Sequence, residues 1–184
     1  MYVSSLSDDA DADTVSPSHW NDGHVLTGFG TGLVDAAYLN YTAGDITCTA
    51  NNVWENMPSV GTITLNASTG DLIEAGASFG VFNTTAQSIS FDIATVVSGS
   101  PVHHLSDGGA PNDSNFGISA WRVPASAQGS AGGSVMYTLQ SSDISGGTVT
   151  LQLRDHPEGS TDRVVNASAT RPLHFWAKNL GQGF

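Results

Sequence analysis

A chain of 184 residues is long enough to bury the core of one domain without help from a metal ion or a disulfide. It carries 17 acidic and five basic residues, which gives a formal net charge of -12 at pH 7. We therefore predict no nucleic acid partner, because this charge would repel phosphates. The single cysteine, Cys48, cannot form an internal disulfide and is expected to be buried in a strand.

Residues 1–35 differ in kind from the rest of the chain. They are rich in Ser and Asp and show neither helical nor strand periodicity, so we predict an extended N-terminal arm. Residues 36–184 are predicted to form the folded domain. The arm has no positively charged start followed by an apolar stretch, and no apolar run in the chain is long enough to span a bilayer. We expect a chain made in a cytoplasm, with no membrane insertion.

The arm contains the sequence SPSHWNDGH, in which Trp20 lies between two histidines. His19, Asp22 and His24 are side chains of the kind that bind transition metals. The alternative is a hydrogen-bonded turn in which Trp20 is a hydrophobic plug. We favour this alternative because two histidines five residues apart, with a turn between them, do not by themselves identify a metal site. The preceding aspartates lack the Gly and closing Glu of a calcium loop. We predict no metal and no cofactor.

From Tyr38 onward, short apolar alternations are separated by Gly, Asn, Asp and Ser at intervals of roughly ten residues. This spacing predicts an all-β fold, an antiparallel β-sandwich, with no helix of ordinary length. The predicted strands are DITCTA, GTITLNA, ASFGVFN, SISFDIATVV, FGISAWRV, SVMYTLQ, GTVTLQLRD, RVVNAS and PLHFWAKN.

The segment SPVHHLSDGGAPNDSN is predicted to be a loop, because it is full of turn residues. Loops on a rigid β-scaffold often hold binding residues. Its candidate ligand-binding side chains are His103, His104, Asp107 and Asp113. An ordinary exposed loop is the alternative.

Two later strands, SVMYTLQ and GTVTLQLRD, are separated by the turn sequence SSDISGG. We predict that they form a hairpin or lie close together. Alternation places Gln152 and Arg154 on the outward face of the second strand, and it places Asp92 outward on SISFDIATVV.

The last strand has large side chains on both faces. One face carries Leu173, Phe175 and Ala177, and the other carries His174, Trp176 and Lys178. A strand with one face exposed to solvent would not normally carry Trp176 beside His174 on that face. We predict a subunit interface at His174 and Trp176, since Trp is enriched as an anchor at interfaces. The alternative is a Trp that lies over the edge of a neighbouring strand.

The usual enzyme signatures are absent from the sequence. It has no phosphate-binding loop, no His-Glu-x-x-His, no Gly-x-Ser-x-Gly and no Cys-x-x-Cys motif. We predict that the chain is not an enzyme.

The element His-Trp-Asn-x-x-His at His19, Trp20, Asn21 and His24, within its acidic arm, resembles the N-terminal segments of tailed-bacteriophage virion proteins. The later part, from YTAGDITC to RPLHFWAKNLG, is similar in pattern to trimeric jelly rolls of the tumour-necrosis-factor-like kind, which phages use in head decorations, head fibres and tail-fibre tips. The resemblance implies a non-enzymatic virion protein of jelly-roll type. The chain lacks a collagen-like or coiled-coil stalk, which favours a compact decoration or tip protein over a fibre.

The resemblance also implies partners. The arm would dock on other virion proteins of the capsid or tail, with Trp20 packed in a pocket and His19, Asn21 and His24 fixing the turn. The domain would be a homotrimer, and its polar surface would suit host surface glycans. The main alternative is a carbohydrate-binding module or lectin-like adhesin with an exposed aromatic platform, for which the candidates are Trp54, Trp121 and Tyr137.

Overall fold

Two antiparallel β-sheets face each other across a hydrophobic core in the computed structural model, which describes residues 33–49, 53–83, 87–111, 117–123, 127–158 and 163–182. The strands are β1 (Asp35–Tyr41), β2 (Ile46–Cys48), β3 (Glu55–Asn56), β4 (Ile63–Asn66), β5 (Asp71–Asn83), β6 (Gln87–Val97), β7 (Ser100–His104), β8 (Ser119–Val123), β9 (Ala127–Thr138), β10 (Ile144–Ser145), β11 (Thr148–Glu158), β12 (Arg163–Asn166) and β13 (Leu173–Gln182). Ser141–Asp143 form a 3-10 turn, which is the only helical element in the described residues.

Strands that are distant in sequence are neighbours in both sheets. The first sheet, called sheet A, has the order β1-β13-β5-β12-β2, and β9 pairs with the other edge of β5. The second, sheet B, has the order β10-β11-β6-β7, with β3 and β4 also on β11 and β8 on β6. Because the chain passes repeatedly from one sheet to the other, the sandwich is of jelly-roll type. The predicted fold class is confirmed.

The core lies between the sheets and is lined by alternate residues of the long strands. Phe79 of β5 and Phe91 of β6 meet edge to face with ring centroids 5.4 Å apart, which ties sheet A to sheet B. On β13, Leu173 and Phe175 point inward and are fully buried. Each such side chain stabilises the fold by about 1.5–3 kcal/mol through removal from water. Cys48 is also fully buried in β2, as predicted.

All nine predicted segments overlap strands, but the predicted pairing of SVMYTLQ with GTVTLQLRD is wrong. The first belongs to β9 and pairs with β5 in sheet A, whereas the second belongs to β11 and pairs with β6 in sheet B. The 3-10 turn Ser141–Asp143 carries the chain between the sheets. The hairpin that does form is β10–β11, where Gly146 and Gly147 adopt φ values of 60° and 79° that favour glycine.

The outward residues of sheet B are assigned to the correct face by alternation, but they are not exposed. Asp92, Gln152 and Arg154 have exposed fractions of 0%, 7% and 4%. Trp54 and Val60, which flank β3, and residues 104–111 cover them: Gln152 Nε2 donates to the Val60 carbonyl, and Arg154 donates to the carbonyls of Trp54 and Pro111. The alternation of side chains along a strand predicts which face of the sheet a residue occupies, but it cannot predict that another part of the chain covers that face.

Candidate assembly face and polar clusters

The outer face of sheet A is open in the part of the chain that the structure describes. One row of directly opposed residues crosses four strands, in the order Tyr38, Trp176, Gly76 and Ser134. Tyr38 is 59% exposed, and Trp176 is half-buried because its ring lies over Gly76, which offers no side chain. We call the outer surface of β1, β13, β5 and β9 around this row the aromatic face.

His174 is held beside Tyr38 on the aromatic face. The Tyr38 hydroxyl hydrogen-bonds His174 Nδ1, and the two rings stack with centroids 5.6 Å apart. The sequence placed His174 and Trp176 in a subunit interface, and the structure places both on this one face. It does not test whether another subunit binds there, so the interface stays a prediction.

The charges on the aromatic face are few and opposed. Lys178 donates to Glu74 at 3.3 Å, and its ammonium lies 5.1 Å from the centre of the Trp176 ring. A shallow apolar recess of about 270 Å³ lies between Ala36, Tyr38, Trp176 and Lys178. The face therefore has a neutral, partly aromatic surface although the chain as a whole has a charge of -12.

His104, predicted as a ligand-binding residue of a loop, lies instead at the end of β7 and has no exposed surface. Its ring packs edge-on against Trp54 at 4.5 Å. Its Nε2 faces Arg154 Nη1 at 3.0 Å. Because a guanidinium can only donate, Nε2 is the acceptor, and the proton of neutral His104 is on Nδ1. The structure does not test ligand binding, so that part stays a prediction.

The cluster around His104 contains two further buried ionisable groups. Asp92 Oδ2 lies 3.9 Å from His104 Nδ1 and accepts a hydrogen bond from Ser106 at 2.5 Å. Burial raises the pKa of Asp92 to about 7, against the lowering effect of the Ser106 bond. Burial also lowers the pKa of Arg154. These groups fasten residues 104–111 onto sheet B, and the arrangement is that of a structural polar network.

His103 belongs to a second cluster at the end of β9. Its Nδ1 donates to Asp143 at 2.8 Å, and the same buried carboxylate accepts from Thr95, Tyr137 and the Gln140 backbone. Burial acts to raise the pKa of Asp143, but these hydrogen bonds outweigh it and leave the pKa lowered. Burial and the Asp143 charge raise the pKa of Tyr137. The His103 side chain is 20% exposed, so its other nitrogen is the part that can face solvent.

The other members of the predicted ligand loop do not join these clusters into one site. Asp107 Oδ1 accepts from the Gly109 backbone at 2.7 Å and stabilises the turn. Asp113 lies outside the described residues, as do the arm residues His19, Trp20, Asn21 and His24. Of the predicted aromatic platform, Trp54 and Tyr137 are buried, with 6% and 8% exposed, so they form no platform. Trp121 lies in β8, and its side chain is not described.

A group of possible metal ligands that the sequence spacing did not indicate lies where the two sheets meet. Cys48 of β2, Glu55 of β3 and Asp155 of β11 bring one ligand atom each to within 4.8 Å of the others. Glu55 and Asp155 are directly opposed across the strands. Asp155 is distant in sequence from the other two residues, so only the tertiary fold brings the three together.

Comparisons with known sequences give no match, and comparisons with solved structures give only remote likenesses. No family model matches the chain, and no curated protein sequence does. Among solved structures, the Eiger TNF of S. frugiperda is similar over 83% of this chain and 96% of its own, at 9% identity and a TM-score of 0.48. A chain of the T13 particle of infectious bursal disease virus is similar over 80% of this chain and 36% of its own, at 10% identity and a TM-score of 0.35.

A chain of the VP2 subviral particle of the same virus matches over 80% of this chain and 41% of its own, at 10% identity and a TM-score of 0.19. The present chain thus spans well under half the length of these viral chains. In the described residues no helix is both long and apolar enough to cross a membrane.

Proposed function

We propose that this chain is a non-enzymatic structural component of a bacteriophage virion. In this proposal the arm, residues 1–35, docks on capsid or tail proteins through His19, Trp20, Asn21 and His24. The jelly roll is a homotrimer that faces outward, reinforces the particle and contacts host surface glycans. The single observation that carries the assembly part of the proposal is the open, neutral aromatic face.

The two sheets differ in a way that supports self-association. The outward polar side chains of sheet B are covered by Trp54, Val60 and residues 104–111, whereas the aromatic face of sheet A carries no such layer in the described residues. Aromatic side chains on an open face, such as the exposed Tyr38 and the half-buried Trp176, are typical of protein interfaces.

Charge favours a second copy of the chain as the occupant of this face. Two chains of charge -12 repel each other at long range, so they can pack only through surfaces from which net charge is excluded. On the aromatic face the charges of Glu74 and Lys178 offset each other at 3.3 Å. A strongly basic partner would instead be expected to bind an acidic surface.

Trimerisation would also make weak arms effective anchors. Once one arm is bound, the next binds at a high effective concentration, and avidity can exceed single-arm affinity by roughly 10² to 10⁴. The mechanism is therefore binding and mechanical reinforcement, with no chemical turnover.

The test of self-association uses two variants of equal charge. Tyr38→Asp places a carboxylate on the aromatic face, and Val53→Asp places one on a side chain of similar exposure, 57%, next to Trp54 of the layer that covers sheet B. Light scattering coupled to gel filtration is expected to give a trimer for the wild type and for Val53→Asp, and a monomer for Tyr38→Asp. A monomeric wild type, or a trimeric Tyr38→Asp, would contradict the proposed interface.

The anchoring role needs a separate test. Deletion of residues 1–32 of the arm, which leaves β1 (Asp35–Tyr41) intact, is expected to abolish co-sedimentation of the chain with virions that lack it, while the shortened chain remains a trimer. A Trp20→Ala variant of the full chain is expected to bind the particle more weakly. If the deletion leaves particle binding unchanged, the arm is not the anchor.

A carbohydrate-binding module remains the second candidate, and one observation favours it. The burial of Trp54 and Tyr137 removes two of the three predicted platform residues, but the exposed Tyr38 and the half-buried Trp176 form an aromatic pair on the open face that could stack on a sugar ring. A monomeric wild type that binds neutral glycans, with binding lost in Tyr38→Asp, would favour this function over trimer formation.

A further inference from the structure

A second recess lies on the outer side of sheet A, at the far end of β5 from the row at Gly76. It has a volume of about 480 Å³ and is lined by Gly80, Gln128, Gly129, Ser130 and Arg171. Gly80 is four residues along β5 from Gly76, a distance of roughly 13 Å. The volume falls in the range of small-molecule sites, which is roughly 300–1,000 Å³. We call it the Arg171 recess.

The floor of the Arg171 recess is low because small residues meet there. Gly80 is directly opposed by Ser130 of β9 on one side and by Asn166 of β12 on the other. A Cβ at Gly80 would lie 3.2 Å from the Cβ of Asn166, so the glycine leaves room that a larger residue would fill. A ligand can therefore approach the sheet backbone at this point.

Arg171 is the cation best placed to hold a ligand among the basic side chains that the structure describes. Arg154 is buried, and Lys178 pairs with Glu74, whereas Arg171 is exposed and has no described carboxylate within 4.0 Å. Its backbone is held by two hydrogen bonds with Ser168, which fix the turn that presents it. A guanidinium has five donor N–H groups, and its fork matches a carboxylate.

Gln128 is oriented by Arg171. Arg171 Nη1 donates to Gln128 Oε1 at 2.5 Å. Since a guanidinium cannot accept a hydrogen bond, the amide oxygen must face it, and the Gln128 NH₂ group is left to donate to another acceptor. The recess thus offers guanidinium and amide donors together with the Ser130 hydroxyl, which can donate or accept.

Asn166 lies beside the floor of the recess, directly opposite Gly80. Its Oδ1 is buried and lies 3.6 Å from the position that a Cβ of Gly80 would take. Because this oxygen has no exposed surface, it is not available to a ligand, and the polar groups that a ligand can reach are those of Arg171, Gln128 and Ser130.

We infer that the Arg171 recess binds a carboxylate-bearing sugar residue of a glycan, with the carboxylate on Arg171 and ring hydroxyls on Gln128 and Ser130. This inference rests on the host-glycan contact in the proposed function, for which it names the site and the class of sugar. An acidic sugar would bind a chain of charge -12 only where a local cation is available, and Arg171 is that cation.

The test is titration of the full chain with the methyl glycoside of N-acetylneuraminic acid and with glucuronic acid, followed by ligand-observed NMR, with methyl galactoside as the neutral control. The acidic sugars are expected to bind and the neutral one to bind at least about tenfold more weakly, because it lacks the charged hydrogen bonds. Arg171→Gln is expected to weaken binding of the acidic sugars by a similar factor. Ser130→Tyr, which fills the recess from an exposed position, is expected to abolish binding.

Val53→Asp is the matched control, since it makes the net charge more negative by the same one unit at an exposed side chain that is not part of the recess or of the aromatic face. It is expected to leave binding unchanged. Absence of binding by the wild type, or equal binding by Arg171→Gln, overturns the inference. If no acidic sugar binds while the chain still forms a trimer on the particle, only the recess assignment fails. If acidic sugars bind but the chain neither trimerises nor binds the particle, the proposed structural role fails instead.

Discussion

Trp176 of β13 lies directly over Gly76 of β5, so closely that a Cβ at Gly76 would come within 2.6 Å of Trp176 Cζ2. The same Cβ would lie 2.7 Å from the Gly133 carbonyl oxygen, which cannot move without distorting β9. The missing side chain thus forms the seat of the indole. It also explains how a strand with large residues on both faces is accommodated in an open sheet.

Gly76→Ala is therefore expected to destabilise the protein by roughly 1–3 kcal/mol and to displace the Trp176 ring. Urea denaturation followed by tryptophan fluorescence measures both effects. Gly132→Ala is the control, because a Cβ there meets only ordinary contacts at 3.4 Å. Equal stability of the two variants would show that the indole is not seated on Gly76.

Asp92 is expected to make stability depend on pH. Its folded-state pKa of about 7 exceeds the ordinary value of 3.8, so the folded state binds the proton more tightly than the unfolded state. The resulting stabilisation is complete below about pH 4 and is lost as the pH rises through about 7, for a total of roughly 4 kcal/mol at most. The free energy of unfolding should fall over this interval in urea denaturation.

Asp92→Asn removes the titrating group and is expected to flatten that decline. In Ser106→Ala, the decline in the free energy of unfolding is expected to extend to higher pH. The Ser106 hydroxyl lowers the pKa of Asp92, so its removal would raise that pKa further. A decline that is unchanged in Asp92→Asn would have to come from another group.

Asp143→Ala tests the second polar cluster. The change leaves the buried hydroxyls of Thr95 and Tyr137 without their acceptor, and the expected loss is about 3 kcal/mol or more. His103→Ala removes only one partly exposed partner of the same carboxylate and is expected to cost about 1 kcal/mol. The urea denaturation midpoint is therefore expected to be lower for Asp143→Ala than for His103→Ala. The reverse order would show that Asp143 does not organise the cluster.

Strands could be predicted from the sequence where apolar and polar residues alternate clearly. The same alternation predicted which residues of β13 face the core. Leu173 and Phe175 point into the core as their spacing required, with Trp176 on the opposite face. Four of the thirteen described strands were missed, namely β3 and β10, which are two residues long, and β1 and β7, whose sequences explain the omission. Asp35–Tyr41 has small residues and adjoins the arm, and Ser100–His104 contains a proline and two histidines that favour a loop assignment.

Residues that act through tertiary contacts could not be identified in this way. The partners of His104 are Asp92 and Arg154, which lie on two other strands, and nothing local shows that the loop folds back onto sheet B. The Arg171 recess depends in the same way on strand register, which places Gly80 between Ser130 and Asn166. Periodicity reports which face a residue occupies, and it does not report what covers that face.

Salt should strengthen the proposed trimer. Each subunit has a charge of -12, and assembly brings these charges together, while the described aromatic face contains only the opposed pair Glu74 and Lys178. Added salt screens the repulsion between subunits, whose range falls from about 30 Å at 0.01 M to about 8 Å at 0.15 M ionic strength. The dissociation constant from analytical ultracentrifugation is therefore expected to decrease over this range. The Glu74→Gln variant removes the local pairing and one negative charge, and it is expected to retain the same direction of salt dependence. If salt instead dissociates the trimer, ion pairs between subunits hold it together and the neutral face is not the interface.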